Sequence, residues 1–168
     1  MELIRLADQN EVFSHWGKVE NINISQGDRS DIVTPLLSYI DLQWTLVRLE
    51  DEDLSKIYII SSDDWKDDGL CIPDFKLVSA INNYQKSTKL EGKFADIKAK
   101  EDIFASGSSV LDTRLILVAM DKDGPFTIIE GNKRSVALGN LGKLVDLEVC
   151  VGISSAIKNY VWSRHAYE

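Results

Sequence analysis

Phe126-Thr127-Ile128-Ile129-Glu130-Gly131-Asn132-Lys133-Arg134-Ser135-Val136-Ala137-Leu138 passes from an apolar run through a Glu-Gly pair into a basic pair and a helical pattern. Two β-branched isoleucines, and the setting of Phe126, Ile128 and Glu130 against Thr127 and Ile129, predict a strand that is partly or wholly buried. Beyond it, Val136, Leu138 and Leu141 share the inward side of a short helix. Gly131 marks the switch from strand to helix, where a residue without Cβ admits an unusual φ and a closely approaching ligand. The first N–H groups of such a helix have no intrahelical partner, and with the helix dipole they favour an anion. Lys133 and Arg134 add formal positive charge. The expected ligand is a phosphate group cradled by Gly131, Asn132, Lys133, Arg134 and Ser135. The plainer alternative is a structural junction whose basic pair faces solvent, because the spacing is neither a P-loop nor a dinucleotide fingerprint.

Working outward, Leu115-Ile116-Leu117-Val118-Ala119-Met120 reads as a second strand, with Asp121-Lys122-Asp123-Gly124-Pro125 as the hairpin turn between the two. Leu147-Glu148-Val149-Cys150-Val151-Gly152-Ile153 is a further strand. Nearer the N-terminus, strands are expected at Glu20-Asn21-Ile22-Asn23-Ile24, Trp44–Leu49 and Lys56–Ser61, with a loop at Ser25–Ser30. Asp31 or Thr34 starts the helix or turn that holds Leu36, Leu37 and Ile40. Pro73 in a first turn, followed by Phe75, Val78, Ile81 and Tyr84, predicts an amphipathic helix ending near Asn82 to Gln85. Between Lys86 and Ser109, Phe94, Ile97 and Ile103-Phe104 line one side of a helix flanked by loops, and Ser106-Gly107-Ser108-Ser109 reads as a flexible connection. With 168 residues, 44% of them hydrophobic, the chain supports one core. The expected architecture is mixed α/β (α+β): a single domain over residues 1–168, with a small mixed, partly antiparallel sheet and flanking helices.

The strand, the turn Glu130-Gly131-Asn132-Lys133-Arg134 and the helix opening at Ser135-Val136-Ala137-Leu138 resemble the signature of the ParB/sulfiredoxin-like superfamily, in which Gly-x-x-Arg follows a strand and begins a helix. The resemblance runs from Arg114 to about Ser154 and is looser elsewhere. It implies a ParB-like nucleotide-binding domain with a sulfiredoxin-like fold. Members include partition proteins that bind CTP, sulfiredoxins that use ATP to repair an oxidised cysteine, and free-serine kinases. ATP or CTP with Mg²⁺ is the implied cofactor. The implied activity is that of a phosphotransferase (kinase) or NTP hydrolase acting on a small molecule, with Glu130 as general base or metal ligand. Departures narrow this. Asn132 and Lys133 stand where sulfiredoxin chemistry needs a cysteine, and the single Arg134 stands where partition proteins carry paired arginines. A helix-turn-helix domain and a dimerisation tail are not expected, because the chain stops soon after its last strand. A rival class is a non-catalytic module that senses a nucleotide or engages a protein partner.

The net charge of −8 and pI near 4.8 argue against a nuclease or DNA-binding protein, which would need a basic track, and against an anionic membrane surface. No run approaches about 18 apolar residues, and Met1–Asp8 lacks a signal-peptide pattern, so the expected location is cytoplasmic, with no membrane segment. Ser61-Ser62-Asp63-Asp64-Trp65 follows a strand. Asp63 or Asp64 would hold a metal or a substrate hydroxyl and Trp65 would stack on a base, or the segment is an acidic turn with an aromatic core anchor. Arg114 reads as a phosphate contact or a strand-edge salt bridge. Arg48 needs either a carboxylate partner or a binding role. Glu50-Asp51-Glu52-Asp53 reads as a solvated acidic turn. Cys150 reads as a packed thiol and Cys71 is left open. His15 is expected at the surface, and His165 in capping or tail packing.

Overall fold

The computed structural model of the chain describes residues 1–107 and 113–168, so Ser108 and Ser109 of the segment quoted above lie outside the described residues. Strands β1 (Glu2–Leu6), β2 (Gln43–Arg48), β3 (Ile57–Tyr58), β4 (Leu115–Ala119), β5 (Phe126–Glu130) and β6 (Glu148–Ile153) form one mixed sheet in the order β1-β2-β6-β4-β5-β3. The predicted hairpin is part of it: β4 and β5 pair antiparallel, with Ala119 opposite Phe126. Every residue of both strands is buried, as expected when helices cover both faces. Asp121 tightens the turn by accepting from the Asp123 N–H at 2.9 Å. Strand β6 runs parallel to β4 and antiparallel to β2, while β3 adds two residues parallel to β5.

The flanking helices are α1 (Gln9–Glu20), α2 (Ser30–Ser38), α3 (Asp63–Asp67), α4 (Leu77–Lys86), α5 (Lys93–Ala105) and α6 (Asn132–Asn140). The Asp8 carboxylate starts α1 by accepting from the Asn10 N–H at 2.8 Å, and Val12, Phe13, His15 and Trp16 face inward. Helix α6 packs against α4 and α5; a Cβ at Gly139 would collide with Ile81, so the glycine sets how closely α4 approaches. Single-domain, mixed α/β architecture with helices on a mixed sheet is thus what the chain adopts. Among the described residues, no helix is long and apolar enough to cross a membrane.

Several local expectations are corrected. Glu20–Ile24 is not a strand: Asn21 adopts φ 53° and closes α1 onto the Gly17 carbonyl, and Ile24–Gln26 is a 3-10 turn. Of Lys56–Ser61 only Ile57 and Tyr58 pair in the sheet. The next three N–H groups go to the Phe75 carbonyl, the Asn132 side chain and the Trp162 carbonyl, so the extended run leaves the sheet. Pro73 precedes rather than opens α4, which begins at Leu77. Asp51–Lys56 is a 3-10 helix, and Asp53 is buried rather than solvated, accepting from the Glu50 N–H and the Met1 amine. His15 is buried on the inner side of α1 rather than exposed.

Candidate functional site

Strand β5 ends by delivering Glu130 and Gly131 to the start of α6. Gly131 has φ +95°, and a Cβ there would lie 2.5 Å from Leu115 Cδ2 and 2.9 Å from the Arg134 guanidinium, so conformation and space both demand glycine. Arg134 folds back onto Glu130, four residues earlier, in an ion pair whose two side chains are each 4% exposed. It also donates to the Arg114 carbonyl at 3.2 Å. Burial pushes the Glu130 carboxyl up to about 7, against the pull of the Arg134 guanidinium. Asn132 accepts from the Ile60 N–H at 3.0 Å, tying the turn to the chain that leaves β3.

This turn opens on a cleft of about 920 Å³. Helix α6 contributes Asn132, Lys133 and Arg134, and β5 contributes Glu130. From α5 come Lys93, Asp96 and Lys100, from α3 Asp64 and Trp65, and from the residue that follows α3, Asp68. Helix α1 supplies Trp16 and Glu20, α2 supplies Asp31 and Ile32 with its N-cap Arg29, and Trp162 comes from the C-terminal segment. Three helices of eight or more residues start at this cleft. Their N-cap residues, Arg29 for α2, Gly92 for α5 and Gly131 for α6, all have positive φ and none makes a side-chain capping bond. Their partial positive ends therefore share one space without side-chain caps, with the first-turn carboxylates Asp31 of α2 and Asp96 of α5 beside two of them.

The formal charges are nearly balanced by cross-element pairs. Lys133 pairs with Asp96, and Lys93 lies 2.7 Å from both Asp64 and Asp68 while covering the Trp65 ring at 5.6 Å. Arg29 pairs with Glu20 at 3.0 Å. The Lys133 contact lowers the Asp96 carboxyl. Burial works against the Asp64 carboxylate, yet the Lys93 contact brings it below the usual range.

Of the residues singled out from sequence, the cleft gathers Glu130, Gly131, Asn132, Lys133, Arg134, Trp65 and Asp64. Ser135, Arg114 and Asp63 are not among its lining residues. The Ser135 hydroxyl is buried and donates to the Asn132 carbonyl, Arg114 lies on the α1 side 3.9 Å from Glu11, and Asp63 pairs with Arg164 at 2.8 Å. Trp65 is only 4% exposed. Glu130, Asp63 and Asp64 each face a different cation, and among the described residues no three His, Cys, Asp or Glu side chains converge. Arg48 pairs with Glu2 at 2.8 Å, and His165 stacks on Phe75 with centroids 3.8 Å apart. Burial pushes the Cys71 thiol up to about 12 and Cys150 to about 11, so both are packed thiols.

Lys93, Asp96, Lys100 and Trp162 were not foreseen. One signal existed: Glu91-Gly92-Lys93 precedes α5 much as Glu130-Gly131-Asn132-Lys133 opens α6. Comparison with family models, with curated proteins and with solved structures finds no match for this chain, so the site is defined by its own geometry.

Proposed function

We propose that the cleft binds the phosphate groups of a nucleotide, as the resemblance to the ParB/sulfiredoxin-like superfamily implies. The observation that carries this reading is the convergence of three helix N-termini without side-chain caps on one cleft of nucleotide size, with Lys93, Lys100 and Lys133 along its charged side. Backbone N–H groups at the α6 start would donate to phosphate oxygens. Lys133 would exchange Asp96 for the ligand at little cost, because the pair is solvent-exposed. Arg134, held by Glu130, would act as a buried positive floor.

Within this reading Glu130 is the group for proton transfer to or from a hydroxyl or water, since its carboxyl, pushed up to about 7, exchanges protons near neutrality. That extends the function to a nucleotide-dependent phosphotransferase or hydrolase acting on a small molecule. A second reading, a nucleotide-sensing module without catalysis, is favoured by the Arg134 contact, which gives Glu130 a structural use. The carboxylates suggested from sequence as Mg²⁺ ligands do not meet, so no step is assigned to the metal.

Thermal unfolding with ATP, CTP, GTP and ADP, with and without Mg²⁺, tests the site. At about a hundredfold excess over Kd, a binding nucleotide adds ~2.7 kcal/mol and raises Tm by about 5 °C or more. The absence of a shift with every nucleotide would refute the reading. Where a shift occurs, Glu130→Gln separates the two classes: a sensor keeps its affinity, whereas an enzyme keeps affinity and loses turnover.

A further inference from the structure

The cleft is chemically two-sided. The elements α3, α5 and α6 line it mainly with charged groups, whereas α1, α2 and the segments beside them bring the apolar Trp16, Val19, Ile22 and Ile32 alongside Glu20, Arg29 and Asp31, and the C-terminal segment brings Trp162. Such a site suits a ligand with an anionic end and a flat apolar body. Trp162 is the aromatic group placed to meet that body. Its indole is half-buried, and Nε1 donates to the Asp31 carbonyl at 3.0 Å. Its own carbonyl accepts from the Ser61 N–H at 2.8 Å. On either side, Tyr160 donates to the Ile32 carbonyl at 2.7 Å and Arg164 pairs with Asp63 at 2.8 Å. The polar edge of the indole is therefore committed to α2 and its orientation is fixed before any ligand arrives, which reduces the ordering cost of binding.

Trp65, the residue that sequence suggested for stacking, is 4% exposed and carries the Lys93 ammonium over its ring. A second tryptophan lines the same cleft. Trp16 is 1% exposed and lines the cleft, yet its Nε1–H has no hydrogen-bond partner among the described residues.

We propose that Trp162 is the ring-recognition residue of this cleft, stacking on the planar heteroaromatic ring of the ligand while the α6 turn holds its phosphates. The assignment rests on the nucleotide reading above. Stacking of this type tolerates any base, so Trp162 selects for a ring rather than for a particular base.

The test titrates the full chain with ATP and with inorganic tripolyphosphate, following both thermal stability and tryptophan fluorescence. The wild-type chain is expected to bind ATP more tightly than tripolyphosphate, with a change in fluorescence. Trp162→Leu should weaken ATP by about tenfold or more and leave tripolyphosphate affinity within about twofold. Trp162→Phe, which preserves a ring, should retain most ATP affinity. Equal ATP affinity in Trp162→Leu, or an equal loss for both ligands, would each overturn the assignment. Binding of tripolyphosphate but not ATP by the wild-type chain would overturn ring recognition and leave the phosphate site standing, whereas binding of neither would remove both.

Discussion

Lys133 and Arg134 are adjacent on the first turn of α6, each pairs with a carboxylate, and the two pairs occupy opposite physical regimes. Arg134 and Glu130 form the floor of the cleft, each 4% exposed; Lys133 and Asp96 form part of its rim, 36% and 55% exposed. On the floor, both charges have lost their hydration and depend on one another, so removing one strands the other. At the rim, water screens the attraction and the pair contributes about 0–1 kcal/mol. The same kind of contact thus holds the fold together in one place and keeps a cation available in the other. Burial, set by one residue's rotation around the helix, makes the difference.

The largest expected effect is on the floor. Arg134→Ala should cost about 3–5 kcal/mol in chemical denaturation, because it leaves Glu130 buried without its cation. A loss below about 1 kcal/mol would erase the distinction between floor and rim. An intermediate effect is expected from pH. Burial raises the folded Glu130 carboxyl from its ordinary 4.5 to about 7, so the folded chain holds this proton more tightly than the unfolded one. Its contribution is complete below about 4.5 and is lost as pH climbs through 7. The stability difference between wild type and Glu130→Gln should therefore change across that interval in the direction of a weakening wild type. A pH-independent difference would show that Arg134 keeps the carboxylate ionised throughout. The smallest effect belongs to the rim: Lys133→Ala should alter stability by no more than about 1 kcal/mol while reducing the thermal shift produced by nucleotide. A large loss of stability without ligand would place Lys133 with the floor.

The part of the fold legible in sequence is the part built from neighbours in sequence. β4, the turn, β5, α6 and β6 span residues 115–153, and each is announced by hydrophobic pattern or turn chemistry. β1 and α1 drew no prediction, and Lys56–Ser61 looked like a full strand because its β-branched pattern does not reveal where its N–H groups go. After Tyr58 they go to three separate partners brought in by tertiary packing. The site divides in the same way. Glu130 to Arg134 stood out as a contiguous turn, whereas Lys93 and Trp162 enter the cleft from about 40 residues before it and about 30 after it. Trp65 has the type and position of a stacking residue, yet its burial under Lys93 is set by tertiary packing that composition does not carry.

The strand order carries a consequence for how the chain folds. Three strands from the first half, β1, β2 and β3, are added to the two sides of a centre made from β6, β4 and β5. The central hairpin closes a loop of only a few residues, but pairing Gln43 with Ile153 joins positions about 110 residues apart. Loop-closure entropy therefore favours early assembly of β4 and β5, and places the long-range β2–β6 pairing late in the sequence of events. The phosphate turn, fused to the end of the hairpin, would form with the local nucleus, while the walls that turn it into a cleft must wait for distant chain to arrive.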